Sequence, residues 1–181
     1  MYKSGKKMQK TIKYTVFKTK WGYFGLAGTE SILCRTQLPG PEPKKIESRL
    51  LKNLPDAQFD SSYFKMLQKQ IAAYFEGSCV NFSPDIPVIL DEFGVFSRKV
   101  LIACRSIEFG QRITYSGLAK KAGWPAASRA VGNALANNPL PLIIPCHRVL
   151  RTDGKMGGFS APGGISFKKR MLALEQKAIK A

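Results

Sequence analysis

The residues best able to do chemistry lie in one stretch, Asn138-Pro139-Leu140-Pro141-Leu142-Ile143-Ile144-Pro145-Cys146-His147-Arg148-Val149. A short apolar run set among prolines ends in a cysteine, and the chain's only histidine follows at once. A thiol attacks as its thiolate, and apolar surroundings suppress the thiolate unless a base or positive charge stands beside it. His147 can take the proton, and Arg148 adds a fixed charge. Pro141 and Pro145 restrict the backbone on either side of the thiol. Consecutive side chains of an extended strand point to opposite faces, so a Cys-His pair that works together needs a turn, which the prolines favour. The plainer alternative makes Cys146 a core residue and His147 an ordinary histidine.

The charge balance narrows the partner. A formal net charge of +17 on 181 residues points to a polyanion, nucleic acid foremost, with a solubility device as the alternative. From Phe93 onward fifteen Lys/Arg stand against three acids (Glu108, Asp153, Glu175), a net of +12. Before Phe93 fourteen stand against nine, a net of +5, and seven of those lysines fall in residues 1–20. The second half is therefore the better binding surface. Cys34, Cys79, Cys104 and Cys146 are widely and irregularly spaced, without a C-x-x-C, which excludes a disulfide framework; with one histidine, no metal site is expected. No apolar run has signal-peptide or membrane-spanning length, so a cytoplasmic protein with reduced thiols and no membrane partner is expected.

Two domains must position these groups, 1–91 and 92–181. Residues 1–12 read as a lysine-rich arm. Lys13–Thr19, Tyr23–Ala27 and Ile32–Leu38 read as a three-stranded meander that Pro39-Gly40-Pro41 breaks. A helix from Pro43 to about Asn53 carries Ile46, Leu50 and Leu51 on one side. A second, Ser62 to Glu76, spaces Phe64, Leu67, Ile71 and Tyr74-Phe75 as core, and Asn81–Glu92 reads as a crossover. This half is a small α/β domain in which no residue is assigned to catalysis.

In the second half, helices are predicted over Phe96–Arg105, Ser116–Ala122 (capped by Thr114 or Ser116) and Ala126 to about Asn137. The tight Gly123-Trp124-Pro125 turn makes the last two a helix-turn-helix. In the third helix Ala127, Ala130, Val131, Ala134 and Leu135 form the buried stripe. Its other face holds Arg129, Gly132, Asn133 and Ala136, one guanidinium among small groups, which suits close approach to DNA. Lys155–Gly164 is a glycine-rich loop without the spacing of a P-loop, and reads as a pocket wall. A last helix, Ser166–Lys180, aligns Phe167, Met171, Leu172, Leu174, Ala178 and Ile179, with Glu175 inside the same arc. A carboxylate there needs a partner. His147 is the first candidate, Arg148 or a lysine the second.

The run Asn-Pro-x-Pro-x-x-x-Pro-Cys-His-Arg-Val closely resembles the active-site signature of the O6-alkylguanine-DNA alkyltransferases, and the likeness extends from about Phe93 to Glu175. The resemblance implies a ribonuclease-H-like α/β first domain and a mainly α, helix-turn-helix (winged-helix-like) second domain that carries the active site. It implies Cys146 as alkyl acceptor, His147 as base, Glu175 as the carboxylate polarising that base in a His–water–Cys relay, and Asn138 as a brace. Tyr115 would donate to a flipped guanine, and Arg129 would fill its place in the stack. Ser160 and Phe159 would wall the pocket, Phe159 standing where some members have tyrosine. Arg148, Gly132 and Asn133 complete the expected DNA-binding set. The implied activity is irreversible, single-turnover alkyl transfer from O6-alkylguanine in double-stranded DNA, with no cofactor, by a monomer. Action on O4-alkylthymine and cooperation along DNA stay open. Two rivals remain: a cysteine hydrolase, and a non-catalytic lesion binder or regulator.

Overall fold

The computed structural model describes residues 11–180, so the expected lysine-rich arm lies almost wholly outside the described residues. Strands β1 (Lys13–Thr19), β2 (Gly22–Gly28) and β3 (Leu33–Gly40) form the predicted antiparallel meander. Gly22 turns the first hairpin at φ 121°, and a Cβ there would meet the Gly40 carbonyl oxygen at 2.4 Å, so the end of β3 closes on β2 only over glycine. After helix α1 (Pro43–Leu50), the short β4 (Gln58–Phe59) adds parallel to β1, giving the order β3-β2-β1-β4. Helix α2 (Lys65–Glu76) completes this α/β half.

Both helices are shorter than their apolar spacing predicts. The α1 carbonyls are captured early: the Arg35 guanidinium donates to the oxygens of Leu50 and Lys52, and Asn53 turns away at φ 65°. Before α2, Asp60 holds both the amide and the hydroxyl of Ser62, and Phe64 takes a left-handed φ of 51°. Residues 61–64 are therefore a turn, and the helix starts at Lys65.

In the second half, α3 (Val95–Arg105), α4 (Tyr115–Lys121), α5 (Ser128–Ala136) and α6 (Gly164–Lys180) account for the predicted helices. Thr114 caps α4, its hydroxyl accepting from the Gly117 amide. The buried stripe of α5 is narrower than expected: Val131, Ala134 and Leu135 are buried, but Ala130 is exposed. It stands about 100° round the helix from Val131, at the edge of the covered arc. Ile179 is likewise exposed, although it lies against Gly110.

Three connections set the geometry around Cys146. Strand β5 (Ile113–Thr114) pairs in parallel with β6 (Val149–Leu150), which fixes the start of α4 beside the residues that follow His147. The β3 residue Thr36 donates from its amide to the Pro139 oxygen (2.9 Å) and from its hydroxyl to the Pro141 oxygen (2.8 Å), tying the first half to the proline-rich run. One apolar cluster runs from Phe24, Leu33, Ile71 and Phe75 through Leu101, Leu118 and Val131 to Met171. The two halves thus share a core. Among the described residues no helix is long and apolar enough to cross a membrane.

Candidate active site

Asn138 organises the chemical stretch. Its Nδ2 donates to the Ile144 oxygen (2.8 Å), and its Oδ1 accepts from the Leu140 amide (3.0 Å), bridging a turn in which Leu142 adopts φ 80°. A left-handed β-unbranched residue costs about 1–3 kcal/mol and persists only where its surroundings over-determine it. Asn138 and Thr36 do so here. The chain leaves this turn through Pro145 into a 3-10 turn, Cys146–Arg148, closed by the Arg148 amide on the Pro145 oxygen (2.9 Å). This is the turn that the adjacent Cys and His require.

Cys146 is 9% exposed and lines a cavity of about 590 Å³, within the usual range for a small-molecule site. The opposite walls come from Tyr115, from Gly132, Leu135 and Ala136 of α5, and from the glycine-rich loop, Met156 to Ser160. A Cβ on Gly157 would lie 2.2 Å from the Tyr115 hydroxyl, so the loop packs on that ring as only glycine can. Ser160 closes the rim, its hydroxyl donating to the Ala136 oxygen (2.9 Å). A second cavity of about 250 Å³ also reaches Cys146, between Arg35–Gln37 of β3 and the Asn138–Pro141 turn.

Behind the thiol lies a buried ionic cluster. Glu175, 1% exposed, accepts at Oε1 from His147 Nε2 (2.8 Å), the Tyr74 hydroxyl (2.8 Å) and Arg148 Nη2 (2.9 Å). Its Oε2 accepts from the Gly110 amide (3.2 Å) and Arg148 Nε (3.3 Å). Burial alone would raise its pKa; hydrogen bonds from His147 and Arg148, with the guanidinium charge, instead hold it down at about 2. Burial pushes the His147 pKa down, so the ring is neutral at physiological pH, and the Glu175 bond only partly offsets this. Since a carboxylate accepts from Nε2, that nitrogen carries the proton and Nδ1 carries the lone pair. Nδ1 is buried and meets no hydrogen-bond partner among the described residues. It is a base facing away from the carboxylate, with no direct hydrogen bond to the thiol.

The thiol itself is pushed up by burial, against the opposing effects of the Asn138 side chain, the Lys168 charge and backbone amides. Cys146 therefore rests protonated and needs a base. Lys168 is wholly buried on α6, donates to the Val149 oxygen (2.7 Å), and lies 5.9 Å from the Tyr115 ring centre. Burial lowers its pKa, and Cys146 opposes that shift.

Cys146, His147, Glu175, Asn138 and Tyr115 are brought together as one site, with Ser160, Phe159 and Gly132 on the cavity wall. Arg129 and Asn133 stand exposed on the outer face of α5. Arg148 departs from expectation. Expected at the DNA surface, it is 3% exposed, committed to Glu175 and to the Ile107 oxygen (2.6 Å), and cannot reach a phosphate. The two candidate partners of Glu175, His147 and Arg148, both bind it. Lys168 and Tyr74 were not singled out from the sequence. Lys168 carries the signal that marked Glu175, a charge on an apolar arc one heptad earlier; Tyr74 carries none beyond core spacing. Among the described residues no three His, Cys, Asp or Glu side chains group as metal ligands would.

Both halves of the chain match known proteins. The family model described as the 6-O-methylguanine DNA methyltransferase DNA binding domain matches residues 95–177, and the ribonuclease-like domain of the same family matches 12–90. The methylated-DNA--protein-cysteine methyltransferase of Methanosarcina acetivorans is 34% identical over 163 residues, covering 90% of this chain and 97% of that one. The Cricetulus griseus protein of the same name is 33% identical over 178 residues, covering 91% and 82%. A crystal structure of Mycobacterium tuberculosis OGT in complex with DNA superposes with a TM-score of 0.76 at 30% identity, covering 92% of this chain and 94% of that one. With both halves of the fold matched along nearly the whole length, the chain belongs to the 6-O-methylguanine DNA methyltransferase family.

Proposed function

We propose that this protein repairs O6-alkylguanine in double-stranded DNA by moving the alkyl group irreversibly to Cys146. The observation that carries the reading is the placement of that thiol: it lines a cavity roomy enough to admit a base under α5 of the helix-turn-helix, with a neutral histidine and its buried carboxylate behind it. The O6 atom of guanine faces into the duplex, so the nucleotide must be turned out before the sulfur can reach it. Arg129, exposed among small residues on α5, enters the space left behind. Tyr115 and the backbone of the glycine-rich loop form the walls against which the base sits.

The reaction is one displacement. His147 Nδ1 takes the thiol proton through a bridging water, and Glu175 steadies the imidazolium. The sulfur forms its bond to the alkyl carbon as the carbon–oxygen bond breaks, which requires the three atoms in line. Negative charge developing on guanine is met by a donor such as the Tyr115 hydroxyl. Lys168, whose charge opposes the upward shift of the thiol, favours the thiolate during transfer. The product thioether has no leaving group that water displaces readily, so each molecule acts once.

The division at about residue 91, a cytoplasmic monomer, and the absence of a cofactor belong to the same proposal. The family matches over 12–90 and 95–177 support the division. Cys146→Ala tests the whole: it should bind a duplex containing O6-methylguanine as well as the wild type does, yet remove no methyl. Transfer by that variant would contradict the reading. Turnover beyond one equivalent on ester or peptide substrates would favour the hydrolase.

A further inference from the structure

We infer that Tyr74, contributed by the α/β half, is a positioning residue of the catalytic relay: its hydroxyl, shared with the oxygen of Glu175 that binds His147, sets how strongly that carboxylate pulls on the imidazole. The sequence places Tyr74 among the core residues of α2, and its ring does pack there, against Phe75, Phe82 and Phe109. A phenylalanine would fill the same space. What the phenol adds is a fully buried hydroxyl that donates to Glu175 Oε1 at 2.8 Å and lies 3.4 Å from His147 Nε2. The catalytic carboxylate thus receives one of its donors from the other half of the molecule.

The consequence follows from competition at one atom. Oε1 already serves His147 and Arg148, so each further donor drains charge from it and weakens its hold on the His147 proton. Without the Tyr74 hydroxyl, Glu175 becomes a better acceptor and the imidazolium is favoured. The histidine then becomes a stronger base, protonated at a higher pH. Among the described residues the groups facing this cluster are Arg148 and the Gly110 amide on Glu175, Lys168 beyond His147, and Cys146 with Cys104 on the thiol side, Lys121 acting on Cys104. Arg148 holds Glu175 through Nε and Nη2, bonds that do not pass through the phenol.

This inference deepens the alkyl-transfer reading and rests on it for its kinetic consequence, but its test needs no substrate. His147 is the chain's only histidine, so its ring nitrogens titrate without overlap in an NMR experiment on the full chain. Tyr74→Phe should raise the His147 midpoint by a few tenths of a pH unit, since losing one donor strengthens the bonds left on Oε1 by about 10–30% and only that difference enters the midpoint. The acid limb of methyl transfer from an O6-methylguanine duplex should move upward with it. Tyr63→Phe, which removes a buried phenol hydrogen bond to the Thr29 oxygen within the same half, should move neither midpoint. An unchanged or lowered His147 midpoint in Tyr74→Phe, or equal shifts in both variants, would overturn the inference. A shifted His147 midpoint without any methyl transfer by wild type would instead count against the alkyl-transfer reading alone. Should Tyr74→Phe fail to fold, the wild type still decides: the Tyr74 hydroxyl proton must be slow to exchange and in contact with the His147 ring, and its absence would overturn the assignment.

Discussion

The pairing of Glu175 with Arg148 is the most exposed energetic claim, because it makes a cation expected to bind DNA into a structural one. Arg148 donates to Glu175 through Nε and Nη2 and to the Ile107 oxygen through Nη1, and both charged side chains are almost fully buried. Removing one partner of such a pair strands the other charge, at a cost of about 3–5 kcal/mol. Glu175→Gln and Arg148→Met should each lose about that much. For a chain of this length that corresponds to a fall of about 6–20 °C in the melting midpoint. The double variant leaves no stranded charge, so its loss should fall short of the sum by about 2 kcal/mol. Urea denaturation at pH 7.5 is the assay, since there the low pKa of His147 keeps the ring neutral in the folded state and its ordinary value keeps it mostly neutral in the unfolded one. Single losses under about 1 kcal/mol, or strict additivity, would refute the reasoning and return Arg148 to the surface.

Two further substitutions probe the cavity and the flipping step. Gly157→Ala puts a methyl where the Tyr115 hydroxyl now lies; it should slow transfer from both duplex and free O6-alkylguanine, by roughly tenfold or more if the ring is displaced by about an ångström, read by single-turnover kinetics. Arg129→Ala should slow transfer from the duplex by roughly tenfold, through loss of part of the few kcal/mol that base extrusion costs. It should leave the free base almost unaffected, and equal losses on both substrates would show that Arg129 does not assist extrusion.

What could be read from the sequence depended on whether the chemistry was local. Cys146, His147 and the prolines are neighbours along the chain, so their joint role was visible before any fold. Glu175 was legible because a carboxylate breaks an apolar helical arc. Lys168 breaks the same arc one heptad earlier and was overlooked, although only burial distinguishes it from a surface lysine that snorkels out. For Arg148 the pairing with Glu175 is legible as an alternative, but its burial is not, because its other partner, the Ile107 oxygen, is remote in sequence and a basic residue in a basic segment reads as surface. Tyr74 was invisible for a different reason: helical spacing reports that a ring is buried, not what its hydroxyl touches. Helix lengths failed where side chains intervened, Arg35 on the end of α1 and Asp60 before α2, contacts that apolar periodicity does not encode.

The central claim is that one sulfur accepts one alkyl group. Intact mass, followed by peptide mapping, of the protein mixed with an excess of duplex containing O6-methylguanine reads this directly. The account predicts gain of a single methyl per molecule, on the peptide that contains Cys146, with guanine restored in equal amount and no second event on adding more duplex. Restored guanine with Cys146 unmodified, or methyl on Cys104, Cys79 or Cys34 instead, would contradict it.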